Sequence, residues 1–220
     1  MKLHSNSFSD HAAIPGEFAF CIPAQTGHVA LAPNRNPHLA WSDLPAGTQS
    51  LALICHDPDV PSRGDDVNQE GRTVPASLPR VDFFHWLLVD LAPEAGEIAA
   101  GEFCDGVTAR GKSGPEAPRG TRQGINDYTG WFAGDADMAG DYHGYDGPCP
   151  PWNDEILHHY VFTLYALDLP RCPVAGSFTG QQLRKAIAGH ILGQAQLTGT
   201  YTLNPALGGL LSRASSLLPR

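Results

Sequence analysis

Several things are scarce in this 220-residue chain, and each scarcity excludes a class of function. No apolar run approaches the ~20 residues that a helical membrane span requires. Basic residues are few, 14 Lys and Arg against 23 Asp and Glu, giving a net charge of −9. That balance argues against a general nucleic-acid or anionic-membrane surface. The opening MKLHSNSFSD has no apolar segment after Lys2, so no secretory leader is expected and a cytoplasmic location is predicted. The five cysteines, Cys21, Cys55, Cys104, Cys149 and Cys172, are odd in number, widely spaced and lack C-x-x-C. This pattern predicts reduced thiols and excludes a zinc knuckle. G-x-x-x-x-G-K-[ST] and G-x-S-x-G are absent, and the glycines follow no strand-to-helix turn. No nucleotide cofactor and no elbow-borne serine nucleophile are therefore expected.

Glycine and proline are plentiful instead, 24 and 19 residues, and 42% of the chain is hydrophobic. One loop-rich, mostly β domain with a sizeable core is the expected result. Phe18, Phe20 and Ile22 alternate with smaller residues and predict a strand. Ser50 to Asp59, SLALICHDPD, is apolar on both parities, as a strand covered on both faces must be. Pro58 should end it near Asp57. Phe83 to Leu91, FFHWLLVDL, reads the same way, with His85 inside it. Thr179 with Gln182 three residues later is a capping box. It starts a helix with Leu183, Ile187 and Ile191 on one face, ended by Gly193. Gln194 to Asn204 alternates as an antiparallel strand with one wet face. Two long loops, 61–81 and 111–143, separate these elements and have the length of functional lids. The basic cluster Arg110, Lys112, Arg119 and Arg122 lies at the start of the second and within it, where a local anion would be welcome. The same loop also holds Asp135, Asp137 and Asp141, which lack the calcium-loop pattern and read as a solvated turn. The leucine-rich tail, 206–220, is too interrupted to span a membrane, and packing against a partner chain is one use for it.

The most informative stretch is GYDGPCPPWNDEILHHYVFTLYALD, Gly144 to Asp168. Its first half is a stiff corner, with Gly144 and Gly147 free in φ and Pro148, Pro150 and Pro151 locked. His158 to Asp168 then reads as a strand, and its alternation sets His158 and Tyr160 side by side. Asp57 stands at the lip of a buried strand, where a carboxylate is costly unless solvated or bonded. A binding acid and a self-capped Asp-Pro turn both fit that position. His85 alone fits a core histidine with one satisfied hydrogen bond.

DPDVPSRG, FFHWLLVDL and GYDGPCPP followed by LHHYVFTLYALD together resemble the three signature blocks of the phosphatidylethanolamine-binding protein family, the Raf-kinase-inhibitor-like proteins. MKLHSNSF, NPHLAWSDLPAGT and TGTYTLNP resemble its bacterial and archaeal branch. The likeness spans residues 1 to about 205, read as a single domain. It implies an antiparallel β-sandwich with a small pocket for phosphate or phosphoethanolamine-type headgroups. Carried over residue by residue, the ligand-binding set is Asp57, His85, Pro150, Pro151, His158 and Tyr160. Asp59 and Gly147 become supporting residues, and Cys149 a shaping one.

The residue chemistry agrees with that list. His85, His158 and Tyr160 are potential donors to phosphate oxygens, and the glycine loop offers backbone N–H groups as an anion nest. Asp57 can orient or charge a histidine, or accept a hydrogen bond from a singly protonated phosphate or an amine. The leading expectation is a non-enzymatic module binding a small anion or phospholipid headgroup and regulating a kinase- or protease-like partner. A homodimer is the expected assembly. The alternative is a hydrolase that uses Asp57, His85 and His158 as metal ligands or as an acid–base set.

Overall fold

The computed structural model describes residues 1–208. Its strands are β1 (Lys2–His4), β2 (Cys21–Pro23), β3 (Val29–Leu31), β4 (Leu39–Ser42), β5 (Ser50–Pro61), β6 (Arg80–Leu91), β7 (Gly96–Ile98), β8 (Arg122–Gln123), β9 (His158–Leu167) and β10 (Ile191–Tyr201). A short helix, α1 (Tyr128–Trp131), lies in the second long loop, and α2 (Gly180–Ile187) precedes β10. Five strands form the main sheet in the order β10-β9-β5-β6-β8, and β1-β4-β7 form a second sheet. β2 and β3 pair as a separate hairpin. Every strand pairing in these sheets is antiparallel.

The double-sided apolar pattern of β5 has a direct structural cause. Leu51, Leu53 and Cys55 enter the core shared with Leu39, Trp41 and Ile98 of the second sheet. Ala52 and Ile54 point the other way, into a smaller core closed by Leu183 and Ile187 of α2. The main sheet is therefore covered on both faces, which is why β5 and β6 show so little polar alternation.

Two register shifts aim the polar residues. Between the pairs Cys55–Trp86 and His56–Phe84, β6 carries one extra residue, His85. This bulge lets Trp86 enter one core while Phe84 enters the other, and it turns His85 toward the cavity described below. A second shift, between Asp57–Phe83 and Val60–Val81, inserts an extra residue in β5 around Pro58. The strand therefore does not stop at Asp57 as expected. The bulge absorbs the missing N–H of Pro58, and β5 continues to Pro61.

Other boundaries also differ. Phe18 lies in a 3₁₀ turn (Gly16–Phe18), and strand geometry begins at Cys21. The capping box at Thr179 is present, with the Gln182 N–H donating to Thr179 Oγ1 and the Thr179 N–H donating to Gln182 Oε1. The helix ends at Ile187 rather than Gly193. Ile191 pairs with Leu167 in β10, so ladder hydrogen bonds outweigh the third apolar position of the helical stripe. The domain's far end, expected near residue 205, is a helical turn over residues 205–208, and the rest of the leucine-rich tail lies outside the described residues.

The basic cluster does not form an anion site. Lys112 pairs with Asp146, Arg119 with Glu102 and Arg122 with Asp90, while Arg110 donates to the Ala136 carbonyl. The acidic turn is self-capped, with Asp135 Oδ1 accepting from the N–H groups of Asp137 and Met138. The cysteine expectation is corrected at one pair. Cys21 and Cys149 form a disulfide across 128 residues, whereas Cys55, Cys104 and Cys172 are free and buried. Wide spacing in the chain does not prevent the β2 hairpin from lying against the proline corner. There the Phe20 and Cys21 N–H groups both donate to the Pro148 carbonyl.

Candidate functional site

A cavity of about 620 Å³ opens where β5, β6 and β9 meet the proline corner. Asp57, His85, His158 and Tyr160 lie on its polar floor, and Cys149, Pro150 and Pro151 form part of its wall. Three strands distant in sequence thus bring the predicted ligand set to one place. Both long loops reach the mouth, the first through Ser62, Arg63 and Asn68, the second through Trp131, Phe132 and Met138. Val29 and Leu31 of β3 complete an apolar rim and are 41% and 60% exposed.

The residues expected to support the site have these partners. Asp59 is not part of the lining. Its Oδ2 accepts from the backbone N–H of His159 and lies 2.8 Å from that residue's Nδ1. Gly147 donates its N–H to Asn34 Oδ1 and accepts the Tyr128 hydroxyl. A Cβ there would sit 2.1 Å from the Phe18 carbonyl oxygen, so only glycine allows this approach. Cys149 does shape the wall, but as half of the disulfide.

The donors expected for an anion are largely committed inside the protein. His158 Nδ1 lies 2.7 Å from Asp57 Oδ2, and its Nε2 lies 3.1 Å from Asp154 Oδ2. Burial disfavours charge on this ring, but the hydrogen bonds to Asp154 and Asp57 outweigh it and hold the pKa at about 9. His158 is therefore an imidazolium at neutral pH, with neither N–H free for a ligand. The glycine-loop N–H groups are also engaged: Gly144 donates to the Gly124 carbonyl, Asp146 to the His85 carbonyl and Gly147 to Asn34. The expected anion nest is not available at these three positions.

His85 plays the opposite role to His158. Its Nδ1 lies 2.7 Å from the Asp146 carbonyl oxygen, which can only accept, so Nδ1 carries the proton. Burial pushes its pKa down to about 4, leaving a neutral ring with a lone pair on Nε2. That nitrogen has no hydrogen-bond partner among the described residues. Edge-on contacts with Tyr128 and Tyr160, at 5.6 and 5.1 Å between ring centroids, fix the ring plane. Burial, followed by the nearby Asp57 charge, holds the Tyr160 hydroxyl well above its usual pKa, so it stays protonated. The floor thus offers two acceptors, Asp57 and His85 Nε2, and one donor, Tyr160.

Asp154 and Arg80 were not among the residues singled out in the sequence. Arg80 grips Asp154 through both terminal nitrogens, at 2.6 and 3.0 Å. Asp154 lies in the polar turn WNDE, where nothing in the pattern distinguishes it from a solvated acid. The signal that could have found it is its position four residues before His158 on the approach to a buried strand.

Comparison with known proteins agrees with this architecture. The family model described as phosphatidylethanolamine-binding protein matches residues 4–202. The UPF0098 protein YbhB of Escherichia coli is 29% identical over 202 residues, covering 92% of this chain and 100% of that protein. A UPF0098 protein of Chlamydia muridarum is 32% identical over 201 residues, covering 91% and 98%. The crystal structure of Escherichia coli YbcL superposes with a TM-score of 0.64 at 22% identity, covering 91% of this chain and 97% of that one, a likeness of fold. With the family model spanning nearly the whole chain, and with the acid, the two histidines and the tyrosine gathered beside a proline corner, the chain belongs to the phosphatidylethanolamine-binding protein family.

Proposed function

We propose that the protein is a non-catalytic binding module for a small amphipathic molecule with a proton-bearing headgroup. A phosphate monoester in its singly protonated form and a phosphoethanolamine headgroup are the fitting classes. The observation that carries this reading is the floor's bias toward acceptors. A fully deprotonated phosphate would face the Asp57 carboxylate and the lone pair of His85 Nε2 with one hydroxyl in compensation. A P–OH or an ammonium group supplies the donor that His85 Nε2 lacks, and can also donate to a remaining lone pair of Asp57, whose two oxygens already accept from His158 and from the Asp59 N–H. The apolar walls, among them Phe20, Phe83, Phe132 and Val67, suit a hydrocarbon or aromatic extension of the ligand.

The hydrolase alternative is less well supported. Both nitrogens of His158 are bonded to carboxylates, which removes this residue from a metal-ligand set and from service as a free general base. Among the described residues, no group of three His, Cys, Asp or Glu side chains is arranged to hold a metal ion.

Localisation follows the disulfide in this reading. A Cys21–Cys149 bond that lines the binding cavity belongs to an oxidising compartment, in place of the cytoplasm expected from the cysteine pattern. No helix among the described residues is long and apolar enough to cross a membrane.

Isothermal titration with phosphoethanolamine tests the binding reading. Millimolar to micromolar affinity, about 4 to 8 kcal/mol, is expected for the native protein, with marked weakening in Tyr160→Phe. An absence of heat at millimolar ligand, or equal affinity in the variant, contradicts it.

A further inference from the structure

We infer that Asp154 and Arg80 are positioning residues of the binding site, acting through His158 to hold the Asp57 carboxylate toward the ligand as a fixed acceptor. This rests on the headgroup reading above and extends it to residues outside the cavity lining. Four side chains form one chain of alternating charge: Arg80, Asp154, His158 and Asp57. Their successive contacts are 2.6, 3.1 and 2.7 Å. Asp57, Asp154 and His158 are each 1% exposed or less, so solvent cannot replace any of these three, and the Arg80 side chain at the outer end is 12% exposed.

Each end of the chain is anchored. Asp57 spends its other oxygen on the N–H of Asp59, 2.8 Å away, which fixes the carboxylate plane at the bulge of β5 around Pro58. Arg80 also donates to the carbonyl oxygens of Asp59 and Pro75. It therefore ties the base of the first long loop to the strand that carries Asp57. The Asp154 backbone carbonyl accepts from Asn204 Nδ2, beyond the end of β10. A side chain with so many committed partners is not a free surface acid.

The arrangement has a chemical consequence. An imidazole between two carboxylates can surrender its proton when either carboxylate is removed, and Asp57 then loses its fixed cationic neighbour. His158 bonds to Asp57 on β5 and to Asp154 in the preceding turn. Arg80 on β6 holds Asp154, His85 on β6 and Tyr160 on β9 share the cavity, and Tyr201 on β10 pairs opposite His158. Asp59 is tied to the adjacent His159, and Cys55 lies two residues before Asp57 on β5. Burial chiefly holds Cys55, Tyr160 and Tyr201 above their ordinary pKa values, and His85 down at about 4. Burial opposes charge on Asp154, but the hydrogen bonds from His158 and Arg80 win and hold it below the ordinary carboxylate value. With His158 held at about 9, neither cavity histidine changes charge between about pH 6 and pH 8 in the native protein.

The test uses glycerophosphoethanolamine, whose phosphodiester and ammonium both keep their charges over that interval. Its affinity for the native protein should be flat from about pH 6 to pH 8. In Asp154→Asn the affinity should fall by about tenfold or more at pH 8 and recover toward pH 6, as the His158 imidazolium re-forms. Arg80→Lys should keep more of the affinity than Arg80→Gln, because the cation remains. The His158 ring is followed in parallel by nuclear magnetic resonance, with or without ligand. Its titration midpoint should fall in Asp154→Asn and, by a smaller amount, in Arg80→Gln, the variant to rely on if Asp154→Asn does not fold. An unchanged His158 midpoint in these variants overturns the inference whether or not the ligand binds. Unchanged affinity and a flat profile in a folded Asp154→Asn overturn it as well. A fallen midpoint in a protein that never binds the probe would uphold the electrostatic chain and sink the headgroup reading instead.

Discussion

The charge on His158 makes a quantitative prediction about stability. Its proton is held to about pH 9 in the fold, against an ordinary value of 6.5. At about 1.4 kcal/mol per pH unit, the folded state gains on the order of 3 kcal/mol from this one site. Because the folded pKa is raised, that contribution is complete below about pH 6.5 and is lost as pH rises through about 9. His85 has the opposite sign. It stays neutral down to about pH 4, so the unfolded chain takes up a proton first and stability falls as pH drops from 6.5 toward 4. These two residues alone would therefore put the stability maximum near pH 6.5. Urea unfolding at a series of pH values, extrapolated to water, is the assay. The native protein should lose roughly 1.5 kcal/mol between pH 6.5 and about 8, below the pH at which the thiols of the unfolded chain ionise and add a slope of their own. His158→Gln should be less stable at neutral pH, with the slope over that interval largely gone. A flat native profile, or a variant that retains the native slope, would refute the charged-histidine assignment.

Other perturbations test separate parts of the account. The Cys21–Cys149 disulfide closes a span of 128 residues, and loop entropy gives it a nominal worth of about 4 to 5 kcal/mol. Urea midpoints with and without a dithiol reductant should differ, and equal midpoints would mean that the bond does not form in solution. Gly180→Ala would set a Cβ 2.4 Å from the Phe84 ring. The clash should cost about 1 to 3 kcal/mol and outweigh the gain in helix propensity of up to ~1 kcal/mol; a higher melting temperature in the variant would show that Phe84 can yield.

Much of this fold could be read along the chain because burial on both faces leaves a local signature. β5 and β6 had to lie inside, since neither parity offers a polar face, and the capping box at Thr179 is a contact within four residues. The floor residues were legible as members of family blocks. What escaped was set by partners far away in sequence. Cys21 and Cys149 become neighbours only because the β2 hairpin lies against the proline corner. His158 looks like a free donor until Asp154 takes its Nε2, and Asp154 looks like a solvated acid until Arg80 crosses from β6. The bulge at His85 was equally hidden, because FFHWLLVDL is apolar on both parities and one extra residue leaves no mark on such a run. Ile191 misled for a related reason: it continues the helical stripe, yet pairing with Leu167 claims it for a strand.

The central claim is that Asp57, His85 and Tyr160 together receive one proton-bearing headgroup. Chemical-shift mapping during a titration with phosphoethanolamine measures this directly, residue by residue. The account predicts saturable shifts concentrated at Asp57, His85 and Tyr160, extending to the Cys149–Pro151 wall, with about tenfold weaker binding in a folded Tyr160→Phe. Shifts that map to another surface, or no shifts at millimolar ligand, would contradict it.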